Sequence, residues 1–328
     1  MNAEIFAEWL RRQGMQVHRT DSTFWCEASS RAYQAFPYHW VIQPAEAEIR
    51  AFLRSSRALA LRYSTPVENP TGMLSYHIVY TAPEYTLDGL DRRTRQNVRK
   101  GLKNCRVEPI SMEQMAVEGW ALEEDTVKRQ ERNVQVERTK WLRRYRSAAD
   151  LPGFEAWGAL VDDRLAATLL TCQIDNCCEM ISQQCHRDYL SARVNNALIY
   201  VVTETMVRRP AIREIFYTMQ SLDAPPSVDE FKLRMGYSVR AVRQRVVFGP
   251  RLAPLLIPAA SALVSGAARL RPENPNLPKL QGMLHFYLEG NLPLEQQEWP
   301  ETLDKLPEEE LSEIRPTGQT GQERIESL

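Results

Sequence analysis

Residues 212–247 read IREIFYTMQSLDAPPSVDEFKLRMGYSVRAVRQRVV, in the order strand, break, capped helix, glycine stop, strand. Ile215-Phe216-Tyr217 is a β-branched and aromatic run of the kind that crosses a sheet. Pro225 and Pro226 interrupt the chain, because neither ring nitrogen can donate to a ladder or a helix. Ser227-Val228-Asp229-Glu230 has the form of a capping box, in which Ser227 and Glu230 each satisfy one open backbone donor of a new helix. Gly236 supplies the positive φ that closes that helix, and a second strand follows.

Upstream, turn residues divide an apolar stretch into a meander. Trp157–Val161 and Leu165–Ile174 flank an Asp162-Asp163 turn, and Cys177–Gln184 follows Asp175-Asn176. Leu198, Val201, Val202 and Thr205 then recur at helical spacing. From Phe154 the order is therefore β-β-β-α-β-α-β, which predicts an α+β fold with helices packed on a mixed sheet. A helical region is expected from Met112 to about Ser147, ended by Pro152-Gly153. Leu87–Arg106 also reads as a helix: Leu90, Thr94, Val98 and Leu102 fall on one face, while Arg92, Arg95, Arg99, Lys103 and Arg106 gather on another. Before it, Phe24-Trp25-Cys26, Trp40-Val41-Ile42, Ala58–Tyr63 and Tyr76–Tyr80 are strand-like pieces separated by prolines.

These readings divide the 328 residues into an N-terminal α+β unit (1–110), a C-terminal unit (111–250), a helical appendage (251–297) and an acidic tail (298–328) expected to be disordered by composition. The overall charge is −1, yet residues 298–328 hold nine acidic and three basic side chains, a difference of −6 that leaves +5 on residues 1–297. A mildly basic body suits an anionic substrate or cofactor. The start has no secretory pattern, and the longest apolar run, Leu252–Val264, is broken by Pro254 and Pro258 and is too short to span a bilayer. Six cysteines without an export signal predict reduced thiols in the cytoplasm. The alternative for 252–264 is a peripheral membrane contact; a helix pair capping the domain is the simpler reading. Cys177 and Cys178 are adjacent on a strand and point to opposite faces, so they do not suit one tetrahedral metal, and no metal is expected.

The strand–helix–Gly236–strand order resembles the end of a GNAT-fold acyltransferase, and Phe231-Lys232 with Gly236 resembles the signature of its Fem-type branch. Two further segments are similar: Leu87–Val107, an Arg/Lys-studded helix leading into a strand, and the meander Phe154–Gln184. Together these cover about half of the chain. The resemblance implies a GNAT-like sheet, with residues 1–106 as a reduced first unit of a tandem. It implies transfer of an acyl or aminoacyl group from acyl-CoA or aminoacyl-tRNA to an amine on a small molecule or cell-envelope precursor, with tRNA as a further partner. It also implies that the central strands splay into a V with polar groups at its apex.

On that alignment Lys232 stands where many CoA-using relatives carry a tyrosine, and would neutralise developing negative charge or hold a phosphate. Tyr217 and Glu179 are the acid–base candidates; the blander reading makes the first a packing residue and the second a carboxylate facing water. The turn that would cradle a CoA pyrophosphate is Ser191-Ala192-Arg193-Val194-Asn195-Asn196, which has no glycine. There Ser191, Arg193, Asn195 and Asn196 are the candidate donor-binding residues. Arg92, Arg95, Arg99 and Lys103 are candidates for an anionic substrate, against a solvated helix face. His186 is the one histidine of five expected to reach the cleft. Two other readings stay open: a GNAT-like binding module without catalysis, and an RNA-binding protein using Arg92–Arg106.

Overall fold

The computed structural model describes residues 2–29, 31–129, 137–222, 227–253, 264–267, 270, 274 and 276–314. The N-terminal part contributes α1 (Ala3–Arg12), β1 (Val17–Arg19), β2 (Phe24–Ser29), β3 (Ala32–Phe36), α2 (Glu46–Ser55), β4 (Ala60–Thr65) and β5 (Met73–Tyr80). Then come α3 (Arg92–Asn104), β6 (Arg106–Ile110), α4 (Met112–Arg129) and α5 (Arg138–Arg146). The meander is β7 (Phe154–Val161), β8 (Arg164–Ile174) and β9 (Cys177–Cys185). It leads to α6 (Val194–Val207), β10 (Glu214–Met219), α7 (Ser227–Arg234) and β11 (Ser238–Phe248). The order expected from Phe154 onward is the order observed.

Among the described residues these strands form one mixed sheet, ordered β1-β2-β3-β4-β11-β5-β10-β9-β8-β7-β6. Asp162 and Asp163 both have positive φ, 49° and 60°, as a two-residue hairpin turn requires. Gly236 has φ +85° at the end of α7. A tyrosine-rich core lies under α6, where Tyr85, Tyr217 and Tyr237 pack with Leu198, Val202 and Met206. A second core, on the other side of the meander, joins α1, α4 and α5 through Phe6, Trp9, Trp141 and Phe154.

Four expectations need correction. The boundary at residue 110 separates partners: β6 pairs with β7, and α3 buries Thr94, Val98 and Gly101 in close contact with α6, a Cβ on Gly101 meeting the Ala197 Cβ at 2.9 Å. Conversely β11, from the second unit, lies between β4 and β5 of the first. The helix predicted from Leu87 begins only at Arg92, because the Asp91 carboxylate accepts from the N–H groups of Arg93 and Thr94 and caps it there. Trp40-Val41-Ile42 is no strand but a single bridge from Val41 to Ser64.

The acidic tail is not disordered throughout. Leu303, Leu306 and Leu311 are buried in the core beneath α6, carried by a 3-10 turn at Glu301–Lys305 and a helix at Glu308–Ile314. Their spacing of three and five residues puts an apolar edge on a segment whose composition is dominated by carboxylates. The appendage contains a helix, Asn276–Glu289, which packs on β11 through Met283, Leu284 and Phe286. The run 254–263 and residues 315–328 lie outside the described residues.

Candidate active site

β9 and β10 run parallel and pair at Cys177–Glu214, Cys178–Ile215 and Glu179–Phe216, and there the ladder ends. Against its other neighbour, β5, the register of β10 shifts between Phe216 and Thr218. That bulge lets the end of β10 follow β5 while β9 continues to Cys185. The two strands part as a V whose apex is Glu179–Phe216.

Side chains alternate across the sheet, so the V has two differently furnished faces. On the face under α6, the Tyr217 hydroxyl reaches across the gap and donates to Gln183 Oε1. Gln183 Nε2 in turn donates to Asn195 Oδ1 at 3.0 Å, at the start of α6. Lys232 Nζ lies 5.4 Å from the centre of the Tyr217 ring and donates to Asp229 Oδ1 at 2.6 Å. The second Asp229 oxygen accepts from the Tyr76 hydroxyl, also at 2.6 Å. Burial pushes the Tyr217 and Tyr76 phenols well up, and the neighbouring Asp229 raises them further, so both stay protonated donors. A cation held over an aromatic face in a nearly dry setting is a fixed positive charge.

On the opposite face stands Glu179, 1% exposed. Its Oε1 accepts from the backbone N–H of His39 at 2.9 Å and lies 2.8 Å from His39 Nδ1. Facing an acceptor-only carboxylate, Nδ1 carries the proton. Glu179 Oε2 is buried with no hydrogen-bond partner among the described residues. A chamber of about 280 Å³ opens beside this group, lined by Gln34, Tyr38, Arg62, Phe216 and Met219 among others. His77 packs edge-on against Phe216 at 5.0 Å. Burial, with the nearby Arg240 cation, holds its imidazole down to about 3, so it is neutral.

The structure thus brings Tyr217, Lys232 and Asn195 together on one face and sets Glu179 behind them at the apex. Other candidates lie elsewhere. Asn196 Nδ2 contacts Met235 Sδ at 3.4 Å, and Ser191 and Arg193 are exposed. Arg193 adopts φ 63° as the residue preceding α6, and α3 closes on this turn: a Cβ placed on Gly101 would meet the Arg193 carbonyl oxygen at 2.5 Å. Asn104 Nδ2 also donates to the Ala192 carbonyl, at 3.2 Å. On α3, Arg92, Arg99 and Lys103 are exposed, whereas Arg95 turns to Asp88 and the Leu90 carbonyl. Arg106 leaves the basic face altogether, bonding Glu108 and Asp163.

Among the histidines it is His39, not His186, that reaches the cleft. His186 instead lies near Asp125 and Asp188. Asp125 ties down the turn before α6 by accepting from the Arg187 backbone N–H and guanidinium. Burial raises its carboxyl, but those bonds outweigh that and hold it below the usual carboxylate range. The sequence reading also missed Gln183, Asp229 and Tyr76. Asp229 carried a signal, since it lies three residues before Lys232 on one helix face. The others have none, because their partners are remote in sequence. Among the described residues no group of three His, Cys, Asp or Glu side chains could hold a metal ion. Burial pushes the thiols of Cys178 and Cys185 up to about 12, as expected of packing residues.

Two solved structures are similar to this chain in fold. One is the C-terminal domain of a protein assigned as a lysylphosphatidylglycerol synthetase in Agrobacterium fabrum. It matches with a TM-score of 0.52 at 12% identity, over 78% of this chain and 91% of that one. FemX matches with a TM-score of 0.52 at 10% identity, over 77% of this chain and 93% of its own. The chain has the GNAT fold. At these identities the likeness is one of fold, and neither a family model nor a curated protein matches the sequence. The parting of β9 and β10 is the splay expected of a GNAT sheet. Polar groups occupy both faces of its apex.

Proposed function

We propose that this chain is an N-acyltransferase that moves an acyl or aminoacyl group from an activated donor to an amine. The observation that carries the reading is Glu179: a buried carboxylate at the point where β9 and β10 part, one oxygen steadied by His39 and the other without a partner among the described residues. Such a group is positioned to take a proton from an attacking amine. The amine nitrogen forms a bond to the acyl carbon, and the C–S or C–O bond to the leaving group breaks with its electron pair. The proton released from nitrogen passes to Glu179 Oε2 and afterwards to the departing thiolate or alkoxide. Lys232, fixed by Asp229 and set over Tyr217, supplies positive charge on the donor side while that leaving group develops.

The contact between Gly101 and the turn before α6 supports an aminoacyl ester over acyl-CoA as donor. The backbone of α3 already abuts the place where a pyrophosphate would need to approach main-chain N–H groups. The exposed Arg92, Arg99 and Lys103 nearby on α3 suit a tRNA backbone. The proposed acceptor is an amine on a small molecule or cell-envelope precursor.

The test is transfer of labelled acyl groups to a panel of amines, with charged tRNA and acyl-CoAs as parallel donors. Amine-dependent transfer that falls about 10²–10⁴-fold in Glu179→Gln is expected. Absence of transfer from every donor that binds would instead make the chain a non-catalytic GNAT-like module.

A further inference from the structure

Beside the chamber at Glu179 lies a larger cavity of about 640 Å³. The two share Gln34, Tyr38 and Arg62 in their walls and therefore adjoin. Away from those three residues the larger cavity is bounded mostly by hydrocarbon, including Leu59, Ala60, Phe248, Leu277, Leu280 and Met283. It is formed where the helix Asn276–Glu289 rests on the sheet beside β3, β4 and β11, and its volume falls within the roughly 300–1,000 Å³ of small-molecule sites. The compound space has opposite chemical demands at its two ends. One holds a carboxylate that is 1% exposed and has an oxygen with no hydrogen-bond donor among the described residues; the other offers only apolar contact over most of its wall.

We infer that the acceptor is a single-chain aliphatic amine or amino-lipid, its nitrogen at Glu179 and its hydrocarbon chain in the cavity between β4, β11 and the helix Asn276–Glu289. The inference rests on the acyl-transfer reading for the role of the nitrogen, and on the two cavities alone for the chain. A buried carboxylate oxygen left unpaired is costly; an ammonium head relieves that cost through a charge-assisted bond about twice as strong as a neutral one, and an anionic head does not relieve it. On the face under α6 Tyr217 and Gln183 bridge the V, so the donor is placed on that face and the aliphatic acceptor on the opposite side of the sheet. That separation is what a transfer at the apex requires.

Binding of n-alkylamines from butyl to decyl to the full chain, measured by calorimetry without donor, tests this directly. Each methylene entering the cavity should lower Kd about fourfold, and alcohols of equal length should bind at least about tenfold more weakly. Glu179→Gln should erase the preference for amine over alcohol while leaving the chain-length dependence. Ala28→Phe, at an exposed position on the cavity wall, should flatten the chain-length dependence while leaving the amine preference. Affinity indifferent to chain length, or equal for amines and alcohols in the unaltered protein, overturns the inference. If binding fails while transfer to short amines persists, the acyltransferase reading stands without it. If binding behaves as stated and no donor supports transfer, the cavity stands and the reaction falls.

Discussion

Replacing Gly101 by alanine sets two effects against each other with opposite signs. In a helix interior, alanine is favoured over glycine by about 1 kcal/mol, so an α3 that merely lay on the surface would gain that amount. The structure places Gly101 buried against α6, where an added Cβ would lie 2.5 Å from the Arg193 carbonyl oxygen and 2.9 Å from the Ala197 Cβ. Inserting a methyl into a packed site costs roughly 1–3 kcal/mol. Here one obstacle is backbone, which cannot turn aside as a side chain does, so the upper half of that range applies. The net expectation is a loss of about 1–2 kcal/mol in urea unfolding. Gly89→Ala serves as control, since among the described residues its added Cβ has only Thr86 Oγ1 nearby, at 4.0 Å. A stabilised Gly101→Ala would show that α3 does not abut the turn before α6, and the argument against a CoA pyrophosphate there would go with it.

Other outcomes follow from the same geometry. His77 is buried and neutral, with its folded pKa near 3 against about 6.5 when unfolded. The unfolded chain therefore binds the extra proton, and stability should fall by about 1.4 kcal/mol per pH unit as pH drops from about 6 to 4; His77→Gln should be flatter over that window in urea titrations. Lys232→Met strands the Asp229 carboxylate, 8% exposed, with the Tyr76 hydroxyl beside it, and is expected to lose about 2–4 kcal/mol. Adding Asp229→Asn should restore at least about 1 kcal/mol, and an additive double variant would refute the coupling. Arg99→Glu with Lys103→Glu should weaken tRNA binding and make its salt dependence shallower; an unchanged slope would exclude that helix face from the interaction.

The second half of the fold was legible because its punctuation is local. Asp162-Asp163, Asp175-Asn176 and Gly236 fix turns by their own backbone preferences, and each strand between them is long enough to declare itself. The site was only half legible. Lys232, Tyr217 and Asn195 belong to elements whose order the sequence reveals, so they could be nominated. Glu179 could be placed on its strand, but its burial comes from His39, 140 residues away, in a segment that looked like a broken strand. The tail misled through composition: carboxylates outnumber apolar residues there, yet Leu303 and Leu306 on one side of a short turn suffice to seat it. The N-terminal helix α2 lacks such punctuation, since it starts after Ala45, which makes no side-chain capping bond.

The position of β11 bears on how the chain is made. Residues 238–248 are the strand that joins β4 to β5, so a ribosome must deliver about three-quarters of the polypeptide before the first half can finish its own sheet. Until then the nascent chain carries two strand edges with unmatched amide and carbonyl rows, at 60–65 and 73–80, each able to capture a neighbour. Pairings this distant along the sequence close slowly. Yield in cells should therefore respond to holdase chaperones and to slowed translation after residue 80. Truncation before residue 238 should leave an aggregating fragment rather than a smaller folded unit.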